Sequence, residues 1–138
     1  MINIIMHGCN GAMGQVISAM AEEMDGVRIV AGIDLNTELK YGYPVYASLE
    51  ECRETADVVV DFASAKAADG LLDYCLAKKL PLVLCTTGLL EEQLKQLVGI
   101  RRFQQRCQAI FRFIAADPGK YRQQMQIVIT QHQTYAVA

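Results

Sequence analysis

The chain opens on an almost unbroken apolar run, residues 2–7, that ends at three glycines, Gly8, Gly11 and Gly14. From residue 12 to 24 the pattern changes period: Met13, Val16, Ile17, Met20 and Met24 recur at helical spacing. Asp25-Gly26 supplies turn chemistry, and residues 27–33 form a second β-rich run closed by Asp34. A polar stretch with Gly42 and Pro44 reads as loop. A short helix is expected over 48–54, with Ser48 as cap and Glu51 three residues on, the spacing of a capping box. Residues 58–62 predict a third strand, 65–79 a helix and 81–86 a fourth strand. Strands that are apolar throughout and alternate with helices are buried on both faces, so the expected fold is α/β, a doubly wound parallel sheet.

Beyond Gly88 the pattern predicts a helix over 89–98 and a second over 101–116, the latter with Phe103, Cys107, Ile110, Phe111 and Ile114 on one face. Asp117-Pro118-Gly119 stops it, and 126–130 is a candidate last strand. With 138 residues, 52% of them hydrophobic, the chain is expected to form one domain over 1–138, with 99–138 as a closing helix and strand. The net charge of −2 carries no basic stripe, which argues against a nucleic-acid partner. No apolar run approaches the roughly 20 residues of a membrane span, and the start has no secretory pattern, so a soluble, cytoplasmic protein is expected. The five cysteines are odd in number and form no CxxC pair, which reads as reduced packing residues rather than metal ligands.

Glycines between a first strand and a first helix let the backbone approach phosphate oxygens, while the helix points its unpaired N–H groups at them. Gly8, Cys9, Asn10, Gly11, Ala12 and Met13 are therefore candidate pyrophosphate-binding residues. The same glycines also suit a purely structural turn. Asp34 lies about 20 residues past the last glycine, where a carboxylate accepts ribose hydroxyls. Its charge repels a 2′-phosphate and Leu35 brings no guanidinium, so NAD(H) is favoured, with NADP(H) the alternative.

Two further segments, Asp61 to Ser64 and Cys85 to Gly88, end the third and fourth strands, at the sheet edge where ligands lie in such folds. Phe62, Ser64, Cys85, Thr86 and Thr87 are the candidates there; Phe62 equally suits the core, and Thr86 and Thr87 equally suit helix caps. His7, in an apolar strand, reads as a core histidine before a catalyst, and His132 lies in an unpatterned tail.

The succession GCNGAMGQ, GID and ADVVVDFASAKAADGLLDYCLAKKLPLVLCTTGL resembles the amino-terminal half of the 4-hydroxy-tetrahydrodipicolinate (dihydrodipicolinate) reductase family over roughly residues 2–98. The resemblance implies a Rossmann-like domain and a pyridine-nucleotide oxidoreductase of lysine and diaminopimelate biosynthesis. It implies that Gly8 to Met13 wrap the pyrophosphate and Asp34 holds the adenosine ribose. Phe62, Ser64, Cys85, Thr86 and Thr87 would then lie along the nicotinamide end. The sequence departs at Cys85, where the family usually has glycine, and at Ala12, where it often has arginine.

The family's substrate domain carries ExHH and KxDxPSGT segments, and neither is intact in this sequence. Residues 103–129 resemble the family's closing segment, which implies excision of the substrate domain with a junction near Gly99. A competing alignment makes 126–132 the start of that domain and His132 a remnant of its histidines. The expected function is thus a cofactor-binding domain with an incomplete catalytic site and no catalytic residue of its own. A non-enzymatic nucleotide sensor or scaffold, and a different NAD-dependent enzyme, are the alternatives. A homo-oligomer is a further expectation.

Overall fold

The computed structural model describes residues 1–86 and 88–93. The calls on 101–116, 126–130, Cys107 and His132 lie outside the described residues, as do Thr87 and most of the 89–98 helix, of which Glu91 to Gln93 are helical.

Five strands and two helices follow in order: β1 (Ile2–His7), α1 (Ala12–Glu22), β2 (Val27–Ile33), β3 (Val45–Tyr46), β4 (Val58–Asp61), α2 (Ala68–Lys78) and β5 (Leu82–Leu84). All pairings are parallel, and the sheet order is β3-β2-β1-β4-β5. The chain starts at the centre of the sheet, runs outward to β3, then crosses back to β4 beside β1. Strand order therefore reverses between β1 and β4, and in open parallel sheets ligands lie at the carboxyl ends of the strands beside such a reversal.

Alternation along the central strands feeds two cores. Ile4, Met6, Val58, Val60 and Val83 pack with Ile17 and Ala21 of α1 on one face. Ile5, Ile33, Val59 and Leu84 pack with Leu71 and Cys75 of α2 on the other. Ile5 and Val59 are wholly buried, each contributing roughly 1.5–3 kcal/mol by leaving water. The doubly wound architecture matches the apolar pattern of these strands.

Three local expectations are corrected. Residues 48–54 form only a 3-10 turn, Leu49–Glu51, and Ser48 makes no side-chain cap bond, because the backbone is already extended again at Cys52. The segment 65–79 begins as a 3-10 turn, Ala65–Ala67, before α2. A short strand, β3, was not anticipated: Tyr41 and Tyr43 fasten the preceding loop so that Val45 and Tyr46 reach Gly32 and Ile33. Their rings stack at 6.0 Å, Tyr43 and Ser18 share a 2.7 Å hydrogen bond, and the Tyr41 hydroxyl donates to the Gln15 carbonyl at 2.9 Å. Side chains from the loop thus fill the place on α1 that a crossover helix would occupy.

Candidate functional site

The turn after β1 is closed from within. Gly8 sits at φ +79°, and a Cβ there would lie 2.8 Å from the Ala63 nitrogen in the loop after β4. A Cβ on Gly14 would stand 2.1 Å from the Gly8 carbonyl oxygen. These two glycines are required by the fold itself, as a tight turn and a close helix approach. Gly11 is different: its φ is −69°, and among the described residues an added Cβ would meet only the Gly8 carbonyl oxygen at 3.4 Å, an ordinary contact. Its bare surface faces outward and leaves room for a group from outside the chain.

The amides divide the same way. Gly8 and Cys9 donate to the Ile33 carbonyl, Gly11 to Gly8 and Asn10 to the Asp34 carboxylate at 2.9 Å. Among the described residues, Ala12 and Met13, the first residues of α1, have no acceptor for their N–H groups, and no side chain caps the helix. Both are at least partly exposed. Free N–H groups and the positive end of the helix dipole therefore coincide beside the gap at Gly11, an arrangement suited to a phosphate.

Asp34 stands one strand over, half-buried. Its two oxygens accept the N–H groups of Asn10 and Asn36, at 2.9 and 3.0 Å. Each carboxylate oxygen can take a second donor, so acceptor capacity remains for a diol. Asn10, where the sequence pattern suggested a ligand contact, spends its side-chain amide on the Asn36 and Glu38 carbonyls, at 2.6 and 2.9 Å. It staples the loop after β2 to the glycine turn. That role was invisible in the sequence because it depends on which loop lies opposite.

The thiols of Cys9 and Cys85 lie in the core cluster beneath the turn. Burial, with help from Asp34, pushes Cys9 up to about 11. Burial also pushes Cys85 well above the ordinary thiol range, with Asp61 adding to it. Both remain neutral packing groups. Phe62 packs partly against the same cluster, while Ser64 is exposed at the start of the 3-10 turn. Thr86 is buried and donates to Asp61 Oδ2.

Asp61 itself was overlooked. Only 1% exposed, it also accepts from His7 Nδ1 at 2.6 Å and from the Ala63 amide at 3.1 Å. Three donors from the ends of β1, β4 and β5 thus converge on one carboxylate. An apolar run ending in Asp, opposite one ending in His, was the available signal.

The family model for the dihydrodipicolinate reductase N-terminus matches residues 2–112. The chain belongs to that family. Among curated relatives, the 4-hydroxy-tetrahydrodipicolinate reductase of Caldanaerobacter subterraneus subsp. tengcongensis is 46% identical over 95 residues, 69% of this chain and 38% of that protein. The Clostridium perfringens enzyme is 45% identical over 96 residues, again 38% of its length. The chain therefore spans well under half of the relatives it matches. A dipicolinate-bound dihydrodipicolinate reductase from Paenisporosarcina sp. TG-14 superposes with a TM-score of 0.64 at 26% identity, covering 73% of this chain and 43% of that one. An oxidoreductase from Agrobacterium radiobacter, solved with NAD+, L-tartaric acid and magnesium, has a TM-score of 0.60 at 17% identity, covering 74% of this chain and 32% of that one, which speaks to the fold alone. Among the described residues no helix is long and apolar enough to cross a membrane.

Proposed function

We propose that this chain is the pyridine-nucleotide-binding portion of a 4-hydroxy-tetrahydrodipicolinate reductase. The observation that carries the reading is the pair of unclaimed amides, Ala12 and Met13, beside a Gly11 whose missing side chain the fold does not require. These groups hold the diphosphate, with Gly8 and Gly14 shaping the turn beneath it. Asp34, one strand away, accepts the adenosine ribose hydroxyls. Phe62, Ser64, Cys85 and Thr86, at the carboxyl ends of β4 and β5, line the nicotinamide end, and the family resemblance adds Thr87.

When bound, the cofactor supplies a hydride; the second hydrogen comes from an acid near the substrate. The segments that resemble the family's substrate-binding and proton-transferring elements are not intact in this sequence. The chain supplies the cofactor side of that reaction. Asp34 favours NAD(H), because a 2′-phosphate would sit against its carboxylate and no Lys or Arg pairs with Asp34 among the described residues.

Isothermal titration with NADH and NADPH tests this. Saturable heat with NADH is expected, with NADPH weaker by about tenfold, one pKa-unit equivalent of charge repulsion. No heat with either at millimolar cofactor contradicts the reading.

A further inference from the structure

Gln93 is a buried amide, 5% exposed, whose side chain works in two directions. Its Oε1 accepts the N–H of Leu90 at 2.8 Å, the residue before the first helical one, Glu91. That is the returning half of a capping box, and glutamate would serve it equally well. Its Nε2 donates twice across to another segment, to the Ala65 carbonyl at 3.2 Å and to Asp69 Oδ1 at 2.9 Å. Ala65 opens the 3-10 turn after β4, and Asp69 lies in the first turn of α2. Only an amide can make both donations and still accept at the cap, so the cross-tie is what selects glutamine here.

The same two segments are fastened at their roots. Thr86, just past β5, donates to Asp61 Oδ2 at the end of β4, and Asp61 Oδ1 accepts the Ala63 amide at 3.1 Å. Thr86 and Gln93 thus bracket the segment leaving β5, while Asp61 and Ala65 bracket residues 62–65 leaving β4. Sheet order sets what these segments face. Asp34 ends β2 on one side of β1, and the free amides of Ala12 and Met13 follow β1 itself. A dinucleotide with its adenosine ribose at Asp34 and its diphosphate at those amides carries its second nucleoside to the other side, over the ends of β4 and β5. Those strands lie about 5 and about 10 Å farther along the sheet edge.

We propose that Gln93 is a positioning residue for the nicotinamide half of the cofactor, holding the segments that leave β4 and β5 together as one preformed wall. This rests on the cofactor reading above. Segments already fastened to each other need not be ordered when the ring arrives, so its contacts appear in full as affinity. Cut loose, they would have to be ordered at each binding event. The adenosine and diphosphate contacts, at β2 and α1, would be untouched.

The test compares NADH with ADP-ribose, which keeps the adenosine and diphosphate and lacks the nicotinamide ring, on the whole chain at about pH 8, well above the ordinary carboxyl range. Gln93→Glu keeps the cap on Leu90 and sets a carboxylate against Asp69 in place of the cross-tie. Its Kd for NADH should rise about three- to tenfold, the scale of one or two lost hydrogen bonds, while that for ADP-ribose stays within about twofold. Adding Asp69→Asn, whose amide can donate back to the new carboxylate, should recover part of the loss. Asp69→Ala, at an exposed position, should show a smaller loss with the same selectivity, and it decides the matter if Gln93→Glu does not fold. Equal losses for the two ligands, unchanged NADH affinity in the folded variants, no recovery in the double variant, or an unaltered chain that binds NADH no more tightly than ADP-ribose overturns this inference and leaves the cofactor reading intact. Absence of binding of both ligands to the unaltered chain overturns both.

Discussion

The backbone amide of Asn10 donates to the carboxylate of Asp34 across 2.9 Å, tying the glycine turn to the acid one strand away. Two features that look independent along the chain are one unit in space. The Asn10 side chain reinforces it by holding the Asn36 and Glu38 carbonyls.

Asn10→Ala removes that second tie without removing a ligand contact. Two hydrogen bonds at roughly 1 kcal/mol each set the stability loss at about 1–2 kcal/mol. NADH affinity should fall several-fold because Asp34 is no longer held in place, and calorimetric titration beside a urea melt separates the two effects. An unchanged affinity would show that the staple does not position the acid.

Thr86→Val replaces the hydroxyl that donates to Asp61 Oδ2 with a methyl group of similar size. A buried carboxylate oxygen then loses a donor, at a cost of about 1–3 kcal/mol. A denaturant midpoint lower than wild type with an unchanged m-value is the expected result; no shift would mean that water replaces the hydroxyl.

Stability should decline at alkaline pH. Burial is the leading cause that pushes Cys9 from 9.0 to about 11, Cys75 from 9.0 to about 12 and Tyr43 from 10.0 to about 12. In the unfolded chain these groups ionise first, so the stability they contribute is complete below about pH 9 and is lost as pH climbs through 11 and 12. Thermal melts across that window should show a falling Tm, and Cys75→Ala should flatten part of the slope. A Tm constant from pH 9 to 11 would contradict the burial of these groups.

Gly14→Ala should destabilise by about 3 kcal/mol or more, the upper range for overpacking, because the atom it meets at 2.1 Å is a backbone oxygen that cannot rotate away. Circular dichroism during a urea titration reads this directly. A native-like midpoint would mean that α1 can slide from the turn.

The central strands were legible because β1, β2 and β4 are buried on both faces and read as continuous apolar runs. Their bounds came within a residue of those observed. The loop from Asp34 to Pro44 was not, since Tyr41 and Tyr43 hold it by contacts with α1 that have no sequence period. The Ser48–Glu51 spacing suggested a helix, but the chain turns into extended backbone at Cys52 after one 3-10 turn. At the site, the positions of Gly8, Gly11, Gly14 and Asp34 could be read in advance. Which amides remain free, and that Cys9 and Cys85 turn their thiols inward, depended on the fold. The buried junction of His7, Asp61 and Thr86 depended on strand order, which no local pattern encodes.

The account turns on Gly11, and a titration of NADH into the wild-type chain and into Gly11→Ala tests it most directly. Among the described residues a Cβ there meets only the Gly8 carbonyl oxygen, at 3.4 Å, so the variant should fold with a loss of about 1 kcal/mol from a poorer helix cap. Wild type should bind NADH, and the variant should bind at least about tenfold more weakly, the equivalent of about 1.4 kcal/mol, because the methyl group occupies the space of the diphosphate. Equal affinity in the two proteins would contradict the placement of the cofactor at this turn.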